Sequence, residues 1–284
     1  MDWRREKKLA TIYNVFTFIR GLEEHVLMGN HRDAWTYGAV DPNSGTAALL
    51  DIARRYSLLM RKGWNPRRTI IFCSWDAKEF GMIGSTEWVE QNLVNLGAKA
   101  VAYLTVDCAV QGPGFFAGAT PQLDNLIFEV TKKVNDPDSE VATIYDKWKT
   151  MNGKINVGPH NLLKDSLVWI LILQHAGVPS VDIYYGRDFP VYHTAFDSFN
   201  WVINYAGVMW LNLMALEFTD DILALKIRAW NDRLMLAERG FLDTDGIKGK
   251  EWFKHLIYGP RSNHRMELDF FPGISDAIAV ERKG

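Results

Sequence analysis

The strongest constraint on the fold is a succession of short β-type runs with helical patterns between them. Thr11–Ile19, His25–Met28, Arg68–Cys73, Lys99–Val106 and Val181–Tyr185 are rich in β-branched and aromatic residues. Lys99–Val106 is nearly continuous in apolar character, as expected of a strand buried on both faces. Asn43–Met60, Gly84–Leu96, Leu123–Val134 and Ser166–His175 read as helices. In the first of these, Asn43 and Ser44 are candidate N-caps, Ala47, Leu50, Ala53 and Leu58 fall near one face, and Gly63-Trp-Asn-Pro66 closes the helix. This alternation predicts an α/β domain with a mainly parallel sheet flanked by helices. Strand signals stop near residue 222. Lys226–Gly240 and Lys250–Ile257 then read as helices, and Phe270–Ile278 as a turn with a short helix, so residues 1–222 and 223–284 are expected to form two units, the second short and helical.

Charge and cysteine content exclude several function classes. With 32 basic and 34 acidic residues the net charge is −2, which gives no electrostatic footprint for nucleic acid. Two cysteines, Cys73 and Cys108, cannot build a disulfide framework or a cysteine-rich zinc site. The most apolar windows, Val168–Leu173 and Val208–Leu216, are well short of the roughly 18 residues that a membrane span needs. The charged start, Met1–Lys8, is no signal peptide, so the chain as written is expected to be soluble. Gly112-Pro-Gly-Phe-Phe-Ala-Gly118 follows a strand, yet its spacing and bulky residues do not suit a dinucleotide loop.

In an open α/β sheet, ligands bind beyond the C-terminal ends of the strands. Those ends here carry a recurring residue type. Gly29-Asn-His31-Arg-Asp33 follows the second run and Val40-Asp41-Pro42-Asn43 opens the first helix. Trp75-Asp76-Ala77-Lys78-Glu79 follows the third run, Asp107 ends the fourth, and His193 follows the fifth. Two histidines and three carboxylates (Asp41, Glu79, Asp107) form a donor set suited to two divalent ions, and imidazole mixed with carboxylate favours zinc. Paired ions of that kind polarise a carbonyl and lower the pKa of a water, the chemistry of hydrolases. Asp33 is placed to steady the His31 ring through its other nitrogen. The competing reading is that each aspartate only caps a helix or forms a turn, and that each histidine is only packed or at the surface.

Long segments carry a resemblance. Gly29-Asn-His-Arg-Asp-Ala-Trp35, Gly38-Ala-Val-Asp-Pro-Asn-Ser-Gly-Thr-Ala-Ala48, Arg67-Arg-Thr-Ile-Ile-Phe-Cys-Ser-Trp-Asp-Ala77, Phe80-Gly-Met-Ile-Gly-Ser-Thr-Glu-Trp88, Val106-Asp-Cys-Ala-Val110 and Pro190-Val-Tyr-His193 resemble the zinc peptidase family of glutamate carboxypeptidase II and the transferrin receptor. Within it the plant glutamate carboxypeptidase-like proteins (the ALTERED MERISTEM PROGRAM type) are the nearest. The resemblance implies a zinc exopeptidase-like α/β fold, two Zn2+ ions, a homodimer formed through the helical C-terminal domain, and hydrolysis of a C-terminal peptide bond in small acidic peptides. It implies that Asp41 bridges the ions, that His31 and Asp107 complete one site, and that Glu79 and His193 complete the other. It further implies a cis Asp41–Pro42 peptide, and a substrate pocket that includes Tyr192 and, near a pocket lysine of glutamate-specific members, Arg265.

The departures from that family matter equally. Its general base is the first of two adjacent glutamates after Trp-Asp-Ala, and that position here is Lys78. An ammonium cannot accept the proton that a carboxylate would take. Asn161–Leu173 stands where the family has a glycine-rich turn lining the pocket, and reads as a buried helix. The membrane anchor, the earlier strands of the peptidase domain and the inserted protease-associated domain of the family are not found in the chain, so residues 1–222 are expected to be a peptidase-like domain lacking its N-terminal part. Two function classes therefore stand: an impaired glutamate carboxypeptidase-like metallopeptidase, and a non-catalytic relative acting as a binding or scaffold protein.

Overall fold

The computed structural model describes residues 9–137, 139, 141–152, 175–186, 189–206, 238–261 and 264–281, with the backbone alone at 152, 206, 260, 261, 264–269, 280 and 281. Its central feature is a six-stranded sheet made of β1 (Val15–Ile19), β2 (Glu23–His31), β3 (Arg68–Trp75), β4 (Ala100–Thr105), β5 (Phe115–Ala119) and β6 (Ser180–Tyr185), in the order β1-β3-β2-β4-β6-β5. The three inner pairings, β3 with β2, β2 with β4 and β4 with β6, are parallel. The two edge strands are antiparallel to their neighbours. The sheet is thus mixed, with the parallel centre that the sequence pattern implies and antiparallel edges that it does not reveal.

Alternation along β3 explains why a nearly unbroken apolar run is needed here. Ile70 and Phe72 face the first helix, α1 (Asn43–Arg61), together with Ile19, Met28, Leu49, Ile52, Ala53 and Tyr56. Ile71, Cys73 and Trp75 face the opposite layer, against Leu27, Val89, Leu96 and Tyr103. The Trp75 Nε1–H donates to the Tyr103 hydroxyl at 3.0 Å, so the polar tips of both rings are paired inside that layer.

Several local expectations are corrected. The buried stripe of α1 runs through Gly45, Ala48, Leu49, Ile52, Ala53 and Tyr56, whereas Ala47, Leu50 and Leu58 are exposed, Leu50 at 66%. The stripe follows the 3.6-residue period from Gly45, which must lie against β4, rather than from the largest apolar residues. Neither Asn43 nor Ser44 caps the helix: Pro42 holds the cap position, and Ser44 Oγ donates to the Val40 carbonyl at 2.6 Å. The stretch Gly84–Leu96 divides into α2 (Ile83–Gln91) and α3 (Leu93–Lys99) at Asn92, whose side chain donates to the Trp88 carbonyl. Leu123–Val134 narrows to α4 (Asp124–Thr131) behind a short 3₁₀ turn. Strand β5, from the glycine-rich Gly112–Gly118 stretch, and helix α5 (Ile144–Asn152) were not foreseen. They pack together through Phe115 and the buried Trp148, with ring centroids 5.1 Å apart.

Lys250–Ile257 is not a helix. His255 is fully buried, its Nε2 lies 3.0 Å from Glu238 Oε1, and its Nδ1 accepts the N–H groups of Ile257 and Tyr258, which a helix would have used internally. Strands also return after residue 222: β7 (Tyr258–Arg261) and β8 (His264–Phe270) form an antiparallel hairpin, followed by a helix over Pro272–Glu281. The Gly-Pro pair in β7 hides it from a strand search. The boundary expected at 222/223 and the readings of Asn161–Leu173 and Val208–Leu216 lie outside the described residues, as do nearly all of Ser166–His175 and Lys226–Gly240. Among the described residues no helix is long and apolar enough to cross a membrane.

The close approach of α1 to the sheet generates a test. A Cβ on Gly45 would lie 1.8 Å from the Val106 carbonyl oxygen and 2.4 Å from that of Asp107, both backbone atoms that cannot swing away. Gly45→Ala is expected to cost about 3 kcal/mol, the upper end of the usual overpacking range, read as a lowered urea midpoint, because the helix must move off the segment after β4 that carries Asp107.

Candidate metal centre

The parallel register brings the strand ends together. Pairing of β2 with β3 sets His31 beside Trp75, and pairing of Gly29 with Thr105 puts Asp107, two residues on, level with His31. The chain after Trp75 turns through Ala77, at a left-handed φ of 54°, and delivers Lys78 and Glu79 to the same edge. Asp41 arrives at the start of α1 through a cis Asp41–Pro42 peptide, and His193, also left-handed at φ 58°, arrives from the loop after β6.

The five donors form two trios that share one residue. His31, Asp41 and Asp107 make the first, and Asp41, Glu79 and His193 the second; within each, the donor atoms lie within 4.8 Å of one another. His31 Nε2 is 2.7 Å from Asp107 Oδ1 and 3.1 Å from Asp41 Oδ1, while His193 Nε2 is 3.2 Å from Asp41 Oδ2 and 3.4 Å from Glu79 Oε2. Asp41 therefore turns one oxygen to each histidine. His31, Asp41 and Asp107 are buried, and His193 is the solvent-facing member, with a third of its side chain exposed.

The oxygens of Asp41 and Asp107 are met only by His31, His193 and Lys78, and Glu79 Oε1 is buried with no hydrogen bond among the described residues. Three carboxylates and two imidazoles converging from five chain segments fit a set of cation ligands, and the mix of imidazole and carboxylate suits zinc.

Charge within the cluster is strongly coupled. Burial opposes a charge on His31, yet the Asp107, Asp33 and Asp41 carboxylates outweigh it and push its pKa up to about 11. Burial also works against ionised Asp41, but hydrogen bonding to His193 and His31 and the nearby Lys78 hold its carboxyl well below the usual range. Burial pushes Glu79 upward. Lys78 is itself buried, its Nζ 3.4 Å from Asp107 Oδ2, 3.6 Å from Glu79 Oε2 and 3.8 Å from Asp41 Oδ1. Those carboxylates outweigh the burial penalty on the ammonium and hold its pKa far above the usual lysine value.

Asp33 ties two arms of the site together. Its backbone carbonyl faces His31 Nδ1 at 2.9 Å, which leaves Nε2 for the cluster, and its two carboxylate oxygens accept the N–H groups of Lys78 and Glu79 at 3.0 Å each. The expected hold on the His31 ring is thus made mainly by the main chain, with the Asp33 carboxylate at 3.4 Å. Two residues went unassigned in the sequence. Asp197 accepts the N–H groups of Val40 at 2.8 Å and Asp41 at 3.1 Å, fixing the loop that presents the shared carboxylate. Asn30, inside the quoted histidine motif, donates to the Pro42 carbonyl at 3.0 Å. The only sequence signal for Asp197 is its place four residues after His193. Tyr192 stacks on His193 with ring centroids 3.6 Å apart, and Trp35 lies edge-on to the same ring at 6.1 Å. Arg265 sits in β8 and its side chain lies outside what is described.

Residues 14–219, which hold the whole cluster, match Peptidase family M28. The chain belongs to that family. Residues 206–283 match the transferrin receptor-like dimerisation domain. The M28 chain is 47% identical to the probable glutamate carboxypeptidase AMP1 of Arabidopsis thaliana, over 99% of this chain and 50% of that protein. It is 43% identical to the probable glutamate carboxypeptidase VP8 of Zea mays (98% and 49%) and 31% identical to the aminopeptidase NAALADL1 of Mus musculus (96% and 48%). The chain spans about half the length of these curated relatives. A solved structure of the zinc aminopeptidase BSAP from Bacillus subtilis aligns with a TM-score of 0.49 at 15% identity, covering 85% of this chain and 52% of that one.

Asp197→Ala removes the acceptor of two N–H groups beside Asp41. Each unpaired buried donor costs about 1–3 kcal/mol, so a loss of about 2–6 kcal/mol in chemical denaturation is expected. Asp197→Asn keeps one acceptor oxygen and should lose less.

Proposed function

We propose that this M28 chain carries the donor set of a two-zinc glutamate carboxypeptidase-like site whose hydrolytic step is impaired by Lys78. The observation that carries the reading is the pair of donor trios sharing Asp41, whose donor atoms lie within 4.8 Å of one another. His31 and Asp107 would hold one ion, Glu79 and His193 the other, and Asp41 both. When bound, such ions polarise the scissile carbonyl and lower the pKa of a water between them. Asp33 fixes the His31 ring and the Lys78–Glu79 turn, which keeps both arms of the donor set at one edge. Tyr192, stacked on the exposed His193, and Arg265 are the proposed pocket residues for a small acidic peptide with a free C-terminus. The similarity to the probable glutamate carboxypeptidases supports that substrate class. The match to the dimerisation domain supports a homodimer.

Lys78 decides how far the chemistry proceeds. The residue at this position must take a proton from the attacking water and return it to the leaving amine. Here it is an ammonium enclosed by three carboxylates at 3.4–3.8 Å, which favour its charged, proton-saturated form. This same contact favours the second reading, a member of the family that keeps the fold and acts as a binding or scaffold protein.

Loss of a general base costs about 10²–10⁴-fold in rate. With zinc present, Lys78→Glu is therefore expected to cleave an acidic dipeptide with kcat at least about 10²-fold above the unmodified chain. Turnover by the unmodified chain equal to that of Lys78→Glu would refute the impairment. A Lys78→Glu protein that holds two zinc ions and stays inert would support the non-catalytic reading.

A further inference from the structure

Beyond its effect on proton transfer, Lys78 has a second consequence, which rests on the metal-centre reading above. We infer that the Lys78 ammonium is a tethered cation standing in for one of the two ions, so that this chain carries a single-zinc centre at Asp41, Glu79 and His193. Nζ lies nearest the His31 trio, 3.4 Å from Asp107 Oδ2 and 3.8 Å from Asp41 Oδ1, the oxygen turned to His31. Its remaining contact is Glu79 Oε2 at 3.6 Å, the oxygen turned to His193.

The lysine is held in place. Its backbone N–H is bound by Asp33 Oδ1 at 3.0 Å, and the residue is only 5% exposed. A surface lysine can swing its charge into water when a cation approaches. Lys78 is enclosed by His31, Asp41 and Asp107, all 3% exposed or less, and has no such exit. Zinc bound by His31, Asp41 and Asp107 would share its oxygens with a buried ammonium, where little solvent screens the repulsion. The His193 trio is the one open to solvent, with a third of the His193 side chain exposed, so water screens the repulsion there. A permanent internal cation also balances part of the carboxylate charge without metal, so the fold of this edge is uncoupled from zinc supply.

The test reads metal content and stability, not turnover. The unmodified chain, Lys78→Met and Lys78→Arg are dialysed against buffered zinc, the bound metal is counted, and each is melted in chelator. The unmodified chain is expected to retain one zinc per chain and Lys78→Met two. In chelator Lys78→Met should melt about 5 °C or more below the unmodified chain, because the buried carboxylates lose their counter-charge. Lys78→Arg, which keeps the charge, should follow the unmodified chain in both measurements. Equal zinc content and equal melting of the unmodified chain and Lys78→Met would overturn the inference, as would two zinc ions in the unmodified chain. If no form binds zinc, the metal-centre reading falls, and with it the single-zinc centre. The chelator melts then decide only whether Lys78 acts as the counter-charge. Should Lys78→Met not fold in either condition, Lys78→Gln is read by the same two measurements.

Discussion

Three carboxylates buried within a few ångströms of one another are the constraint on which this end of the molecule depends. Ionised Asp41, Glu79 and Asp107 repel each other, and the interior gives them little solvent to spread that charge. They are tolerable only with cationic partners among them. Two histidines and one lysine meet that need from the protein's own residues. The family's hydrolytic chemistry and the local stability of this edge are thus governed by the same charges.

Such a cluster must be built by elements that cannot relax away from it. The parallel centre of the sheet supplies three of the arms because β2, β3 and β4 run in one direction and end level with one another. Gly45 lets α1 press against the end of β4, and Asn30 and Asp197 hold the Asp41–Pro42 segment from two sides. Asp33 links the arm after β2 to the arm after β3. Most of these contacts join backbone to side chain across long sequence separations, so the site's geometry is a property of the packed sheet rather than of any one loop.

That division explains what the sequence disclosed. His31, Asp41, Glu79, Asp107 and His193 were legible because each follows a strand or opens a helix, and strand direction alone gathers them at one edge. Asp33 was legible because it lies two residues from the histidine it steadies. Asp197 was not, since its role is to accept N–H groups more than 150 residues away, and nothing local marks that. The buried face of α1 follows position rather than side-chain size: Leu50 is apolar yet exposed, while Gly45 lies against the backbone that follows β4. Lys250–Ile257 has a helical pattern, but the ring of the buried His255 takes the N–H groups of Ile257 and Tyr258. In each failure a tertiary contact overrides a local preference.

The sign of the charge at position 78 has consequences beyond catalysis. A glutamate there would put a fourth carboxylate into a pocket that already holds three, and folding would then lean on bound metal to offset the repulsion. With lysine the balance is partly internal, and the edge is able to form with less help from metal. The same substitution that takes away a proton acceptor therefore also loosens the link between metal and fold. A chain selected only to bind, through the exposed Trp35, Phe80 and Tyr37 around the site or through its dimerisation segment, loses nothing by that exchange. A chain selected for turnover loses its base. The proposed loss of hydrolysis and the proposed binding role thus both rest on the charge at one residue, Lys78, with the strands, histidines and positioning loops unchanged.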